Sequence, residues 1–101
     1  MTSPISRRLF LGFIKLHILY HASLEAVHGL WLIEELARHG YALSPGTLYP
    51  ILHGLERQGY LRAEKRVVGG KGRKCYLATR QGKAALDEAR TRAEELLHEI
   101  S

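Results

Sequence analysis

A mainly α-helical domain carrying one small β-hairpin is what this sequence predicts, and three observations predict it. Apolar residues recur at helical spacing in four separate segments. A fifth segment, residues 61–79, favours strands around a Gly69-Gly70 turn. The 101 residues suffice for one core, but leave little to cover more than one side of each helix.

The first segment, residues 5–22, is apolar on nearly every side except at Lys15, His17 and His21. A helix that is hydrophobic all round must be buried all round, so a second subunit is expected over its free side, meeting Leu9 and Phe13. In the next segment, HGLWLIEELARHG, the stripe is Leu30, Ile33, Leu36 and Ala37, with Glu34, Glu35 and Arg38 opposite. Gly40 then suits a left-handed C′ position.

The third segment, LSPGTLYPILHGLERQGYL, contains Pro45, Pro50, Gly46 and Gly54, all costly inside a helix. Yet Leu48, Ile51, Leu52 and Leu55 keep the helical stripe. Its start is well signalled, with Ser44 as N-cap, Pro45 at N1 and Leu43 spaced against Leu48 as a hydrophobic staple. Pro50 removes one backbone bond deeper in, and Gly59 ends the helix.

Two strands follow, joined by a GGKG turn, with Lys71 and Arg73 on the turn and its exit. In the last helix Leu86, Ala89, Ala93, Leu96 and Ile100 alternate spacings of three and four, a two-heptad seam suited to a partner helix. Helix, short glycine-containing turn and second helix make a helix-turn-helix, and the hairpin after it is a wing. The fold class is therefore a winged helix-turn-helix with an extra C-terminal dimerisation helix. Residues 1–79 would form the DNA-binding domain, with recognition helix 44–59 and wing 61–79, and residues 80–101 the dimerisation helix.

Charge supports a polyanionic partner. The chain carries a formal net charge of +5, but residues 57–83 hold Arg57, Arg62, Lys65, Arg66, Lys71, Arg73, Lys74, Arg80 and Lys83 against Glu64 alone. The excess is thus concentrated on the wing and its flanks, where neutralising phosphates would release counterions. On the third helix, the side opposite the apolar stripe displays Thr47, Tyr49, Pro50, His53 and Arg57. The N-terminal end of a second helix is the part that meets base edges in helix-turn-helix proteins, and Ser44 and Gly46 stand at that end.

An enzyme is not expected. There is no glycine-rich phosphate loop, nucleophile elbow, paired buried carboxylates or metal cluster with a base, and no cofactor is implied. Cys75, the single cysteine, excludes an internal disulfide and fits a reducing cytoplasm. No signal peptide is evident, and the apolar run 9–20 is too short to span a membrane.

SPGTLYPILHGLERQGYL closely resembles the PadR family of bacterial and archaeal transcriptional regulators. HGLWLIEEL is similar to that family's second helix, which usually begins with His-Gly, here His28-Gly29. GGKGRKCYLATRQGKAAL is similar to its wing and the start of its last helix. The resemblance implies a winged-helix homodimer joined through the first and last helices. It also implies a repressor of a pseudo-palindromic double-stranded operator, often released by a small-molecule effector. By position, Thr47, Tyr49 and Pro50 would lie in the recognition helix, and Lys71, Arg73 and Lys74 would be wing contacts. The single C-terminal helix is similar to the family's short form.

Other readings stand beside this one. A winged helix can serve as a protein-interaction module without DNA, although acidic residues are then expected on the recognition face. His17 and His21, one helical turn apart with His28 beyond, could share a metal, but no carboxylate or cysteine accompanies them at ligand spacing, so they are read first as interface or core histidines and no metal is assigned. Cys75 beside Arg73 and Lys74 could act as a redox switch, against a plain strand residue. Trp31 is ordinarily a core residue, but in a dimer it could wall an effector cavity.

Overall fold

The computed structural model describes residues 3–101. Its helices are α1 (Pro4–Leu24), α2 (Gly29–Arg38), α3 (Pro45–Arg57) and α4 (Arg80–Ile100), and its strands are β1 (Val27–His28), β2 (Leu61–Val68) and β3 (Lys71–Ala78). The sheet is antiparallel in the order β1-β3-β2. This is a winged helix-turn-helix with one long additional helix at the C-terminus. Among the described residues, no helix is long and apolar enough to cross a membrane.

The caps follow from the residues at each junction. Ser44 accepts from the Thr47 N–H and opens α3, with Pro45 in its first turn. Thr79 accepts from the Gly82 N–H to open α4, while its hydroxyl donates to the Gly59 carbonyl at 2.5 Å. That one side chain ties the exit of the wing to the end of α3. Gly40 and Gly59 take φ values of +90° and +86°, the left-handed conformation expected where α2 and α3 end.

One core joins all these elements. Ile14, Ile18, Leu19 and Ala22 of α1 meet Leu32 and Leu36 of α2, Leu48, Leu52 and Leu55 of α3, and Leu61, Tyr76 and Ala78 of the sheet. Two details differ from the sequence expectation. The stripe of α2 is Gly29, Leu32 and Leu36, whereas Leu30 and Ala37 are exposed. A ten-residue helix allows two apolar stripes offset by one position, and the contact with α3 selects the one that contains Gly29. Glu35 is also not on the solvent side, because it is half-buried and turned towards His21 of α1.

The hairpin turn is shorter than GGKG. It is Gly69-Gly70 alone, both with positive φ, and Lys71 and Gly72 already belong to β3. The third strand, β1, has no signature in sequence, since two residues cannot display a period. Val27 and His28 pair with Tyr76 and Cys75, and His28 then caps α2 through Nδ1.

α1 and α4 are incompletely covered. Ile5, Leu9, Phe10 and Phe13 of α1 and Leu96, Leu97 and Ile100 of α4 are exposed. Leu86 packs against the core of its own chain, while Ala93 stands open.

Candidate nucleic-acid interface

The outward face of α3 is narrow and built from small groups. Gly46, Pro50, His53 and Arg57 recur at spacings of four and three and are all exposed or, for Gly46, open to solvent. A Cβ at Gly46 would meet nothing closer than the Ser44 hydroxyl at 3.8 Å. The first turns of α3 therefore present backbone and short side chains, and another molecule can approach them closely. Pro50 lies on the flank towards α1, lining a cleft with Leu11 and Lys15. The Ser44 and Thr47 hydroxyls face each other at 3.3 Å across the helix start.

Tyr49 sits on the other flank, and its setting explains a glycine. A Cβ at Gly29 would overlap the Tyr49 hydroxyl and ring edge, so the ring lies flush on the first turn of α2. The same ring is 6.2 Å from His53 and remains 38% exposed. Tyr49 is thus a packing residue on one edge and an available phenol on the other.

The wing places like charges opposite one another. In the β2–β3 register Lys65 faces Lys74 and Arg66 faces Arg73. Directly opposed like charges destabilise a strand pair, and here two such pairs are adjacent. Part of the repulsion is relieved locally. Glu64 accepts from Arg62 at 3.3 Å and from the Arg66 Nε at 2.7 Å. These bonds, that from Arg66 first, hold the Glu64 carboxyl below the usual carboxylate range.

Lys74 is turned away from the tip. Its Nζ lies 3.5 Å from Glu56 of α3 and 5.4 Å from the centre of the Tyr76 ring. It therefore links the wing to α3. Lys71 and Arg73 have no ion-pair partner among the described residues.

The remaining candidates are spread elsewhere. Cys75 is buried, 1% exposed, with its thiol 3.8 Å from the Arg73 carbonyl, so it is a strand residue without solvent access. Trp31 packs against the core and stands edge-on to His21 at 5.1 Å. It does not line the groove of about 390 Å³ between α1 and α4, which is formed by Phe13, Leu16, Tyr20, Leu86, Ala89 and Ala93 among others. Leu9 borders a separate shallow depression with Arg8 and Gly12.

The register sets Lys65 and Arg66 of β2 beside Lys74 and Arg73 of β3. The opposition of Lys65 and Arg66 to β3 needed the register, and the register follows once the turn is reduced to two residues.

Comparison with known proteins agrees with this fold. Residues 18–88 match the Transcriptional regulator PadR-like family. The transcriptional regulator Rv3488 of Mycobacterium tuberculosis is 56% identical over 87 residues, spanning 86% of this chain and 81% of that protein. A crystal structure of a PadR family transcriptional regulator from Eggerthella lenta superposes with a TM-score of 0.79 at 31% identity, over 95% of this chain and 85% of that one. A PadR-like transcriptional regulator from Bacillus cereus superposes with a TM-score of 0.84 at 26% identity, over 92% of each chain.

Proposed function

From the premise that this chain belongs to the PadR-like family of transcriptional regulators, we propose that it acts as a homodimeric repressor of a pseudo-palindromic operator. α3 enters the major groove through Gly46, Thr47, Tyr49, His53 and Arg57, with Ser44 at its N-terminus. The wing grips the flanking backbone through Lys71 and Arg73 of β3 and Lys65 and Arg66 of β2. Pro50 contributes by keeping the α1 flank of the helix short, and Lys74 by fixing the wing against α3.

The observation that carries this reading is the pair of opposed like charges, Lys65–Lys74 and Arg66–Arg73. A hairpin that accepts such a cost is suited to an anion that removes it. The exposed apolar faces of α1 and α4 support a dimer through those helices. Two-fold symmetry then sets the half-sites about one helical turn apart, roughly 34 Å. The groove between α1 and α4 is suited to an apolar small-molecule effector, which would release the operator by binding one dimer arrangement more tightly than the other.

A titration of the purified protein tests this, using a labelled duplex from its own upstream region and a scrambled duplex at several salt concentrations. Tight binding to the native duplex alone, with two subunits per site, is expected. Equal and steeply salt-dependent binding to both would reduce the protein to a non-specific DNA-coating factor, and no binding at low salt would favour a protein-interaction role.

A further inference from the structure

Three imidazoles from two helices converge where the end of α2 meets the middle of α1. His17 and His21 stand one turn apart on α1, and His39 immediately follows α2. Their ligand-competent nitrogens all lie within 4.8 Å of one another. Glu35, one turn before His39, places Oε2 3.1 Å from His39 Nε2 and 3.4 Å from His21 Nε2. Its other oxygen accepts from Arg38 at 2.8 Å. The core residues are hydrophobic and include none of these groups, and the proposed DNA-binding face lies on α3 and the wing.

We propose that His17, His21, His39 and Glu35 form a binding site for one divalent cation of the zinc class. Imidazole nitrogens with one carboxylate are the donors that such borderline cations take, whereas calcium and magnesium prefer oxygen alone. Metal–ligand bonds of about 2.0–2.1 Å in a tetrahedron put neighbouring donors about 3.3 Å apart. The two Glu35 contacts already match that edge. The widest imidazole separation must close by roughly 1.5 Å, which a side-chain rotation can supply.

The surroundings hold these donors in place. Burial, then the neighbouring His39 and His21, pushes the His17 pKa down. The hydrogen bond from His39 is the largest cause that holds the Glu35 carboxyl low. The His17 ring lies 5.5 Å from Tyr41 and the His21 ring 5.1 Å from Trp31, contacts that limit their rotation, while Arg38 fixes the carboxylate. His39 is the open side: its side chain is 46% exposed, against 14% for His21 and Glu35, which gives a cation a way in. The sequence shows His17 and His21 as a pair, but His39 and Glu35 join them only through the packing of α2 on α1.

The test is a cobalt(II) titration of the untagged full chain, followed by visible absorption. The expected result is the intense d–d band pattern of four-coordinate cobalt, saturating at one ion per chain and displaced by zinc. H39A, at an exposed position, and H17A should each weaken binding at least tenfold, and E35Q should weaken it as well. His98→Ala, near the exposed end of α4, should leave it unchanged. Zinc should also raise the Tm of the parent chain, and should raise that of H39A less at the same concentration. Absence of four-coordinate bands, or saturation that survives both H17A and H39A, would overturn the site.

Discussion

Gly29 and Gly82 are small for different reasons, and the difference predicts how each responds to a methyl group. A Cβ at Gly82 would overlap the Tyr60 carbonyl, a backbone atom held by its bond from the Thr79 N–H at 3.1 Å. A Cβ at Gly29 would overlap only the ring of Tyr49, a side chain with solvent beside it. Gly82→Ala should therefore destabilise the fold by about 1–3 kcal/mol whatever stands at position 49. Gly29→Ala should cost less, and most of its cost should vanish in a Tyr49→Ala background, a coupling that denaturant melts of the four variants would measure. Additive costs would show that Tyr49 does not rest on Gly29. Because Gly29→Ala displaces the phenol from its flank, it should also weaken operator binding about as much as Tyr49→Ala does. The His28-Gly29 pair was visible in sequence only as a resemblance. Its physical reason was not legible, because the residue that needs the space lies in another helix.

At the scale of the element, the wing sets like charges opposite one another, and the proposed contact with DNA would relieve that cost. Arg73→Glu would replace the Arg66–Arg73 repulsion with an attraction, so the hairpin should become more stable by roughly 0.2–1 kcal/mol. The same change should weaken DNA binding and lower the slope of log affinity against log salt by about 0.9 or more. A variant that is more stable and binds less well would identify the charge pairing as functional, whereas an unchanged salt slope would remove Arg73 from the phosphates. Replacing Lys71 and Arg73 together by Ala should lower the slope by roughly 1.8. Much of this element was legible, since Gly69-Gly70 fixed the hairpin and the excess of basic residues marked its charge. Which cations oppose which was not, because a GGKG turn gives a different register from a two-residue turn. The short α2 failed for a related reason: Leu30 and Leu32 offer competing stripes, and only α3 decides between them.

At the scale of the whole molecule, the first helix carries the clearest sequence message. It is apolar nearly all round, yet one chain buries only Ile14, Ile18, Leu19 and Ala22, leaving Leu9 and Phe13 at 54% and 40% exposure. α4 has the converse character, with a polar surface interrupted by Ala89, Ala93, Leu96 and Ile100 and only Gly82 buried. Each helix supplies what the other lacks, and in the proposed dimer the small alanines on α4 would permit close approach by α1 of a second copy. Ala93→Glu places a carboxylate in that contact without touching the core, since Ala93 is exposed in the single chain. The variant should sediment as a monomer with its secondary structure intact. Its Tm should no longer rise with protein concentration, as that of the parent dimer should. Its binding to a full operator should fall to the level of a single half-site, because the second α3 is no longer delivered with the first. If the mass of Ala93→Glu remains that of a dimer, the seam on α4 does not join the subunits, and the exposed apolar face of α1 must be covered by other means.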